Sequence, residues 1–469
     1  MIHAHEAGAR HGQGDAPAWL LVPDDVNALL PELWPSSVHK DEQGCLHVAG
    51  LSVNQIASQV GTPALVLDQA DFLERARQFD QAFSQATGGR ATVSYAAKAL
   101  ISKGIVEWVE QAGLGLDVCS EGELHVALRA GFPAGRITFH GNNKSNVELT
   151  HAVTVGVGRV VVDSLDEIER LESIAKAANV VVKAMIRVRI GVEAHTHEYI
   201  ATAHEDQKFG ISSSDGAALK AAQRLLDSPA LDLVGWHCHI GSQVFDTAGY
   251  AETIRRLAVL SAELRQATGQ QLPELCLGGG FGVAYTTGHD PLPPQRLAEE
   301  LTGQLQTAFT EHGLAVPWLG VEPGRAIVGP AGFTIYTVGT IKPVALPGGF
   351  TRVYVSVDGG MSDNIRTALY SADYSATLAS RRSSAAPVLA RVVGKHCESG
   401  DIVVKDEYLP ADLKAGDLLA VPVTGAYCYP LASNYNLVPR PPVVAVAQGQ
   451  LTTLLRRETI DDLLARDCG

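Results

Sequence analysis

The side chain with the clearest capacity for chemistry is Lys98, which closes the largely apolar segment 91–98. The segment has the composition of a buried strand, and burial lowers the pKa of a lysine because the ammonium loses its hydration. A neutral amine can attack a carbonyl group and form a Schiff base. A lone lysine at a strand end can equally extend to solvent, so its role depends on the residues near it.

Glycines and charged residues follow two later strand-like segments. The three glycines 278–280 let backbone N–H groups approach an anion, because no Cβ intervenes. Glu322 and Arg325 come after the next segment, where a carboxylate can face a protonated ring nitrogen. A tight turn and a local Glu322–Arg325 ion pair are the alternatives. Together with Lys98, these features predict a pyridoxal phosphate (PLP) site.

Two histidine pairs, His195/His197 and His237/His239, raise the alternative of a barrel metal hydrolase. Such enzymes generally place the pair on the first strand of the barrel and add ligands from other strands. The second pair here lies on the sixth predicted strand. We therefore expect no metal, a His239 that stacks on the cofactor ring, and a structural His237.

The elements that must position these residues form a regular alternation. Eight apolar segments, separated by amphipathic helical patterns, lie at 92–97, 114–119, 136–140, 159–163, 180–190, 233–240, 274–277 and 319–322. This pattern predicts a (β/α)8 TIM barrel, whose active site forms at the carboxyl ends of the strands. Phosphate is often bound after strands seven and eight, which is where the glycines and Gly324–Arg325 stand.

The flanking segments predict a second domain. Short alternating strands separated by turn residues follow the barrel, and strand-like segments at 46–50 and 64–67 precede it. We predict a flexible tail at 1–30, an N-terminal segment at 31–66 that completes the β domain, the barrel at 67–328 and an antiparallel β domain at 329–469.

Composition narrows the class of protein. The 469 residues are 46% hydrophobic and 19% charged, which is typical of a soluble globular protein. The net charge of −14 argues against a nucleic-acid partner. We find no apolar run long enough for a membrane span and no apolar core of a signal peptide. Seven scattered cysteines without a CxxC motif fit the reducing cytoplasm.

As a set, the motifs resemble those of the diaminopimelate decarboxylases, which belong to the alanine-racemase-like PLP enzymes with a TIM barrel and a β domain. They run in order through residues 35–465: Tyr95-Ala-Ala-Lys98, His140-Gly-Asn-Asn-Lys144, His237-Cys-His-Ile-Gly-Ser242, Gly278-Gly-Gly280, Glu322-Pro-Gly-Arg325, Asp358-Gly-Gly-Met-Ser-Asp363, Cys397-Glu-Ser-Gly-Asp401 and Gly425-Ala-Tyr427. The resemblance implies decarboxylation of meso-2,6-diaminopimelate to L-lysine and CO2, the last step of lysine biosynthesis by that pathway.

The resemblance also implies individual roles. Lys98 would hold PLP covalently, Glu322 would pair with its ring nitrogen, and His239 would stack on the ring. The phosphate would lie among Ser242, Gly278, Gly279, Gly280, Gly324, Arg325 and Tyr427. The distal end of the substrate would contact Arg325, Arg366, Tyr370, Glu398 and Tyr427. Cys397, the proton donor, and Glu398 would reach into the partner's site of a homodimer.

Elementary chemistry supports part of this assignment. Arginine binds carboxylates through two parallel hydrogen bonds, and decarboxylation removes the carboxylate at Cα. Two arginines therefore favour a substrate with a second carboxylate. The alternatives are a decarboxylase of another basic amino acid or carboxylated polyamine, a metal hydrolase, and a PLP-binding protein without catalysis. A protonated thiol at Cys397 would suit an acid catalyst.

Overall fold

The computed structural model describes residues 16–191, 207–346, 349 and 351–469. These residues form two compact units. The first contains the described residues up to Phe72, Val283–Asp290 and Val328–Gly469, and the second contains Leu73–Gly282 and Pro291–Ile327. The predicted pair His195/His197 and the first fifteen residues of the predicted tail lie outside the described residues.

The strands are β1 His39–Lys40, β2 Leu46–Val48, β3 Leu51–Ser52, β4 Ala64–Asp68, β5 Ala91–Ala96, β6 Gly115–Val118, β7 Ile137–Phe139, β8 Arg159–Val162, β9 Val182–Arg189, β10 Ile211–Ser212, β11 Leu231–His237, β12 Glu274–Cys276, β13 Trp318–Val321, β14 Gly332–Ala345, β15 Thr351–Val357, β16 Thr377–Leu378, β17 Pro387–Val393, β18 Ile402–Pro410, β19 Leu418–Pro422, β20 Val443–Ala447 and β21 Gln450–Leu455.

The α-helices are α1 Val53–Val60, α2 Gln69–Thr87, α3 Lys103–Gln111, α4 Glu121–Arg129, α5 Asn146–Val155, α6 Leu165–Ala178, α7 Ala217–Leu226, α8 Ala248–Thr268, α9 Pro294–Glu311, α10 Arg325–Val328, α11 Arg366–Tyr370 and α12 Ile460–Leu464. Among the described helices, none has the combination of length and apolarity that crossing a membrane requires.

The second unit is a closed parallel barrel. Its eight strands follow the order β5-β6-β7-β8-β9-β11-β12-β13, and β13 pairs with β5 to close the ring. Each barrel strand overlaps one of the eight segments predicted from the sequence, so the TIM barrel is confirmed. Inside it, Val161, Met185, Val234 and Cys276 form a buried cluster, as expected for a barrel interior filled by side chains.

The first unit contains a mixed sheet in the order β18-β17-β15-β14-β4-β20-β21. The N-terminal strand β4 is fully buried and lies between β14 and β20, which confirms that an N-terminal segment completes the β domain. Most pairs are antiparallel, but β15–β17 and β4–β20 are parallel. Parallel neighbours need long connections, and the segment between β15 and β17 provides one of about thirty residues.

A buried ion pair holds the loops after two neighbouring barrel strands. Lys144 Nζ lies 2.7 Å from the carbonyl oxygens of Gly141 and Val161 and 2.5 Å from Glu167 Oε1. The side chains of Lys144 and Glu167 are both 1% exposed. All three ammonium protons thus find acceptors, which a buried charge requires.

We predict that Lys144→Met lowers the free energy of unfolding by about 3–5 kcal/mol, because it leaves the Glu167 carboxylate buried without its cation. Urea denaturation measures the change. Adding Glu167→Gln to Lys144→Met should recover part of the loss, since the second substitution removes the unpaired charge. Equal stability of Lys144→Met and the parent protein would contradict this account.

Candidate active site

The carboxyl ends of the barrel strands bring together those predicted residues that belong to the barrel. Lys98 stands on a single 3-10 turn, Ala97–Ala99, directly after β5. Both flanking alanines are buried, whereas the Lys98 side chain is exposed. The expectation of a buried amine is therefore wrong, because the turn carries the side chain past the end of the buried strand. The position at the barrel mouth is the one expected for a reactive amine.

The glycines after β12 leave room that side chains would fill. Gly278 and Gly280 have φ angles of 69° and 103°, a region that L-residues rarely adopt. A Cβ on Gly279 would collide with the carbonyl oxygen of Glu322, and one on Gly280 would collide with that of Gly241. The loop can lie this close to the β13 end only because it has no side chains.

Two further groups border this loop. Arg325 Nη2 donates to Ser242 Oγ at 2.9 Å, which places a cation and a hydroxyl side by side. A Cβ on Gly324 would lie 3.0 Å from Ala99 Cβ, so this glycine allows the end of the eighth barrel strand to pack against the Lys98 turn. Ser242, Gly324 and Arg325 thus belong to the same barrel mouth as the glycine loop.

Glu322 is the most heavily contacted acid of the site. Its Oε1 lies 3.1 Å from His237 Nε2 and 3.4 Å from His140 Nε2, and it accepts from Cys276 Sγ at 3.0 Å. Burial alone would raise the pKa of Glu322, but the two histidines hold that pKa well below its usual range. An ionised carboxylate in this position can pair with a protonated ring nitrogen.

Sequence reasoning missed part of this cluster. It assigned His237 a structural role and gave no catalytic function to His140, Asp117 or Cys276. All four residues occupy strand ends, which was the available signal, but neighbouring strand ends do not reveal which side chains converge. Asp117 Oδ1 lies 3.6 Å from His140 Nε2, and burial together with the Glu322 charge raises the pKa of Asp117 to about 7.

His239 has the properties of a neutral ring. Burial, followed by the positive charges of Lys98 and Arg187, holds its pKa well below the usual range. A Cβ on Gly278 would lie 2.8 Å from His239 Nδ1, so the imidazole borders the glycine loop. An uncharged flat ring at this place is suited to stacking on another flat ring.

The other predicted residues belong to the first unit. Arg366 begins α11 and is only 4% exposed. Its Nη1 donates to the Tyr374 hydroxyl, and its guanidinium lies 4.7 Å from the centre of the Tyr285 ring. Among the described residues, its Nε has no hydrogen-bond partner. A buried guanidinium N–H without an acceptor points to a ligand that supplies one.

Cys397 and Glu398 lie on a loop that Asp401 fixes. The Asp401 carboxylate accepts from the backbone N–H groups of Met361 and His396 at 2.6 and 2.7 Å. Cys397 is exposed, and Glu398 Oε1 accepts hydrogen bonds from Ser399 and Gly400 of its own loop.

Two predicted tyrosines are also in this unit. Tyr370 ends α11, and Tyr427 adopts a positive φ of 61° directly after Gly425-Ala426. The roles of these two residues, like those of Arg366, Cys397 and Glu398, stay predictions.

Comparison with known proteins decides the family. Residues 69–329 match the family model described as "Pyridoxal-dependent decarboxylase, pyridoxal binding domain". The diaminopimelate decarboxylase of Mycobacterium tuberculosis is 52% identical over 444 residues, which cover 93% of this chain and 98% of that protein. This chain belongs to the diaminopimelate decarboxylase family.

Other family members agree. The diaminopimelate decarboxylase of Bacillus subtilis is 44% identical, and the alignment covers 91% of this chain and 96% of that protein. The crystal structure of the diaminopimelate decarboxylase from M. jannaschii superposes on this chain with a TM-score of 0.86 at 29% identity. The superposition covers 93% of this chain and 98% of that one. The resemblance, the fold and the PLP cofactor predicted from the motifs are confirmed.

The barrel residues fit this cofactor. Lys98 offers an amine at the barrel mouth, the bare glycine loop with Ser242 and Arg325 suits a phosphate, and buried Glu322 is held ionised. Neither carboxylate oxygen of Asp117 has a hydrogen-bond partner among the described residues, so the polar groups of this mouth are not satisfied by one another. The metal-hydrolase alternative is set aside, because the family depends on pyridoxal.

We predict that Gly279→Ala weakens PLP binding at least about tenfold, or ~1.4 kcal/mol, because the new methyl group displaces the loop from the Glu322 backbone. Fluorescence titration of the cofactor-free protein with PLP measures this change. Gly303→Ala is the matched control: it lies in α9 with open space around it and should raise the unfolding free energy by ~0.5–1 kcal/mol. Unchanged PLP affinity in Gly279→Ala would contradict the close approach.

Proposed function

We propose that this protein decarboxylates meso-2,6-diaminopimelate to L-lysine and CO2 with PLP, the last step of lysine biosynthesis by that pathway. The observation that carries the proposal is the set of barrel-mouth groups, with ionised Glu322 held by two histidines, in a chain 52% identical to a diaminopimelate decarboxylase. When bound, PLP supplies a ring that accepts the electron pair left at Cα as CO2 departs.

The residues of the barrel bind and orient. Lys98 would hold the cofactor through its side-chain amine. Glu322 would accept the hydrogen bond of the ring nitrogen, and neutral His239 would stack on the ring. Ser242, Arg325 and the backbone N–H groups of the glycine loop would hold the phosphate.

Arg366 is the residue that we assign to the distal carboxylate. Tyr374 and Tyr285 hold its guanidinium, so its donor geometry is set before substrate arrives. The unpartnered Nε–H of this buried group supports an anionic ligand. Arg325, Tyr370, Glu398 and Tyr427 complete the proposed contacts to the substrate, with Glu398 reading the distal amine.

Cys397 is the proposed acid that returns a proton to Cα, from a neighbouring subunit of a homodimer. Near its loop, the ring centres of Tyr435 and His396 are 5.3 Å apart, and the Leu437 side chain is 69% exposed. Exposed apolar groups of this kind are common at interfaces between proteins. The seven free cysteines support a reducing compartment, and we propose the cytoplasm.

The substrate assignment predicts a clear order of substrates. CO2 release from meso-diaminopimelate should exceed that from lysine, ornithine and arginine, which lack the second carboxylate. Arg366→Met should raise KM for diaminopimelate about tenfold or more, because one charge-assisted hydrogen-bond fork is lost. Arg366→Lys keeps the charge but loses the paired N–H donors, so its KM should lie between those of the parent protein and Arg366→Met. Lys98→Ala is the inactive control. Faster turnover of a monocarboxylic amino acid would overturn the assignment.

The shared site predicts complementation between inactive subunits. Cys397→Ala should lower kcat more than it changes KM. Mixing it with Lys98→Ala should restore about a quarter of the parent activity, since half of the dimers are hybrids and each hybrid has one complete site. Mixing Lys98→Ala with the double variant Lys98→Ala/Cys397→Ala is the control, because no hybrid then has a complete site. Absence of recovery in the first mixture would show that each site uses one chain.

A further inference from the structure

Two histidines contact Glu322, but they are not equivalent. His237 Nε2 lies 3.1 and 3.2 Å from the two carboxylate oxygens, and its Nδ1 has no hydrogen-bond partner among the described residues. The carboxylate can only accept, so the proton of His237 stands on Nε2. Burial lowers the pKa of His237 to about 4, and the ring is therefore a neutral donor at physiological pH.

His140 has a different environment. Its Nε2 lies between two acids, 3.4 Å from Glu322 Oε1 and 3.6 Å from Asp117 Oδ1. Its ring meets the ring of His237 edge-on, with the centres 4.9 Å apart. Burial lowers the pKa of His140, but the charge of Glu322 and the contacts with Asp117 outweigh it and raise the pKa to about 9. His140 is thus an imidazolium.

The neighbouring strand ends contribute the remaining titratable groups of this cluster, which are Lys98, Asp117, Arg187, His237, His239 and Cys276. Cys276 and His237 meet Glu322 as neutral donors, and Asp117 is an acid. As an imidazolium, His140 lies within 4 Å of the carboxylates of both Glu322 and Asp117.

We propose that His140 is a positioning residue, which as an imidazolium adds the charge that keeps Glu322 ionised for the ring nitrogen of the cofactor, whereas His237 stabilises the carboxylate as a neutral hydrogen-bond donor. The inference rests on the proposed PLP chemistry and adds to it different roles for the two histidines. Without the cation, Glu322 takes up a proton at higher pH and can no longer accept the hydrogen bond of the ring nitrogen.

The test compares His140→Gln, which keeps a neutral N–H donor, with His140→Leu, which keeps neither donor nor charge. His237→Gln is the matched control at the second contact. For each PLP-loaded variant, the visible absorption band is recorded as a function of pH without substrate, and kcat is measured on the acid side of its pH profile. PLP affinity is measured by titration of the cofactor-free variant. Circular dichroism and melting temperature report whether each variant folds.

Removing the cation should raise the pKa of Glu322. Both His140 variants should therefore shift the acid limb and the absorption transition upward by about one pH unit or more. PLP affinity should fall about tenfold in His140→Leu and less in His140→Gln. His237→Gln should weaken PLP binding without moving either pH transition, because it replaces one neutral donor by another.

An unshifted pH transition in folded His140→Gln would overturn the proposal, as would an equal shift in His237→Gln. If His140→Leu does not fold, His140→Gln decides alone. The absorption and affinity measurements need no substrate, so they remain decisive even if the preferred amino acid is not diaminopimelate. Conversely, if the parent protein releases no CO2 from diaminopimelate but the PLP titrations give the expected results, only the proposed function is contradicted.

Discussion

The architecture of the barrel mouth depends on keeping one carboxylate charged where little water reaches it. Glu322 follows the last barrel strand, and a buried ion is stable only when donors surround it. The side chains around it come from the ends of three other strands: His237 and Cys276 donate hydrogen bonds, and His140 Nε2 lies 3.4 Å away. The eightfold parallel ring provides this convergence, since every strand delivers its carboxyl end to the same rim.

The same crowding explains the glycines. The loop after β12 lies against the backbone of Glu322, and Gly324 lies against the turn that carries Lys98. Side chains at these positions would push the anion loop, the acid and the amine apart. The absence of Cβ atoms is therefore a geometric requirement of having all three chemical groups at one mouth.

In the first unit, the predicted site residues are held in place by different contacts. Arg366 is held by aromatic rings and one hydroxyl, and no carboxylate of the described residues forms an ion pair with it. A guanidinium held in this way keeps its affinity for an anion while losing little freedom on binding. Asp401 similarly fixes the loop of Cys397 through backbone N–H groups and leaves the thiol exposed.

Much of the fold could be predicted because it follows from local pattern. The apolar runs located all eight barrel strands, and the strand-like segment at 64–67 identified β4 of the mixed sheet. The parallel pairs of that sheet were not predicted, since direction depends on chain routing over long distances. The exposed turn of Lys98 was missed because an Ala-rich segment has no signal that separates a strand from the turn after it.

The amino-acid sequence by itself determined the chemistry available: an amine, glycines, arginines and an acid, each directly after a buried segment. It also determined the family, because the motifs that contain those residues occur in the family's order along nearly the whole chain. Only the tertiary structure decided which histidine is a cation and which is neutral. The pKa of an imidazole depends on the charges within a few ångströms, and those charges come from strands far apart in sequence.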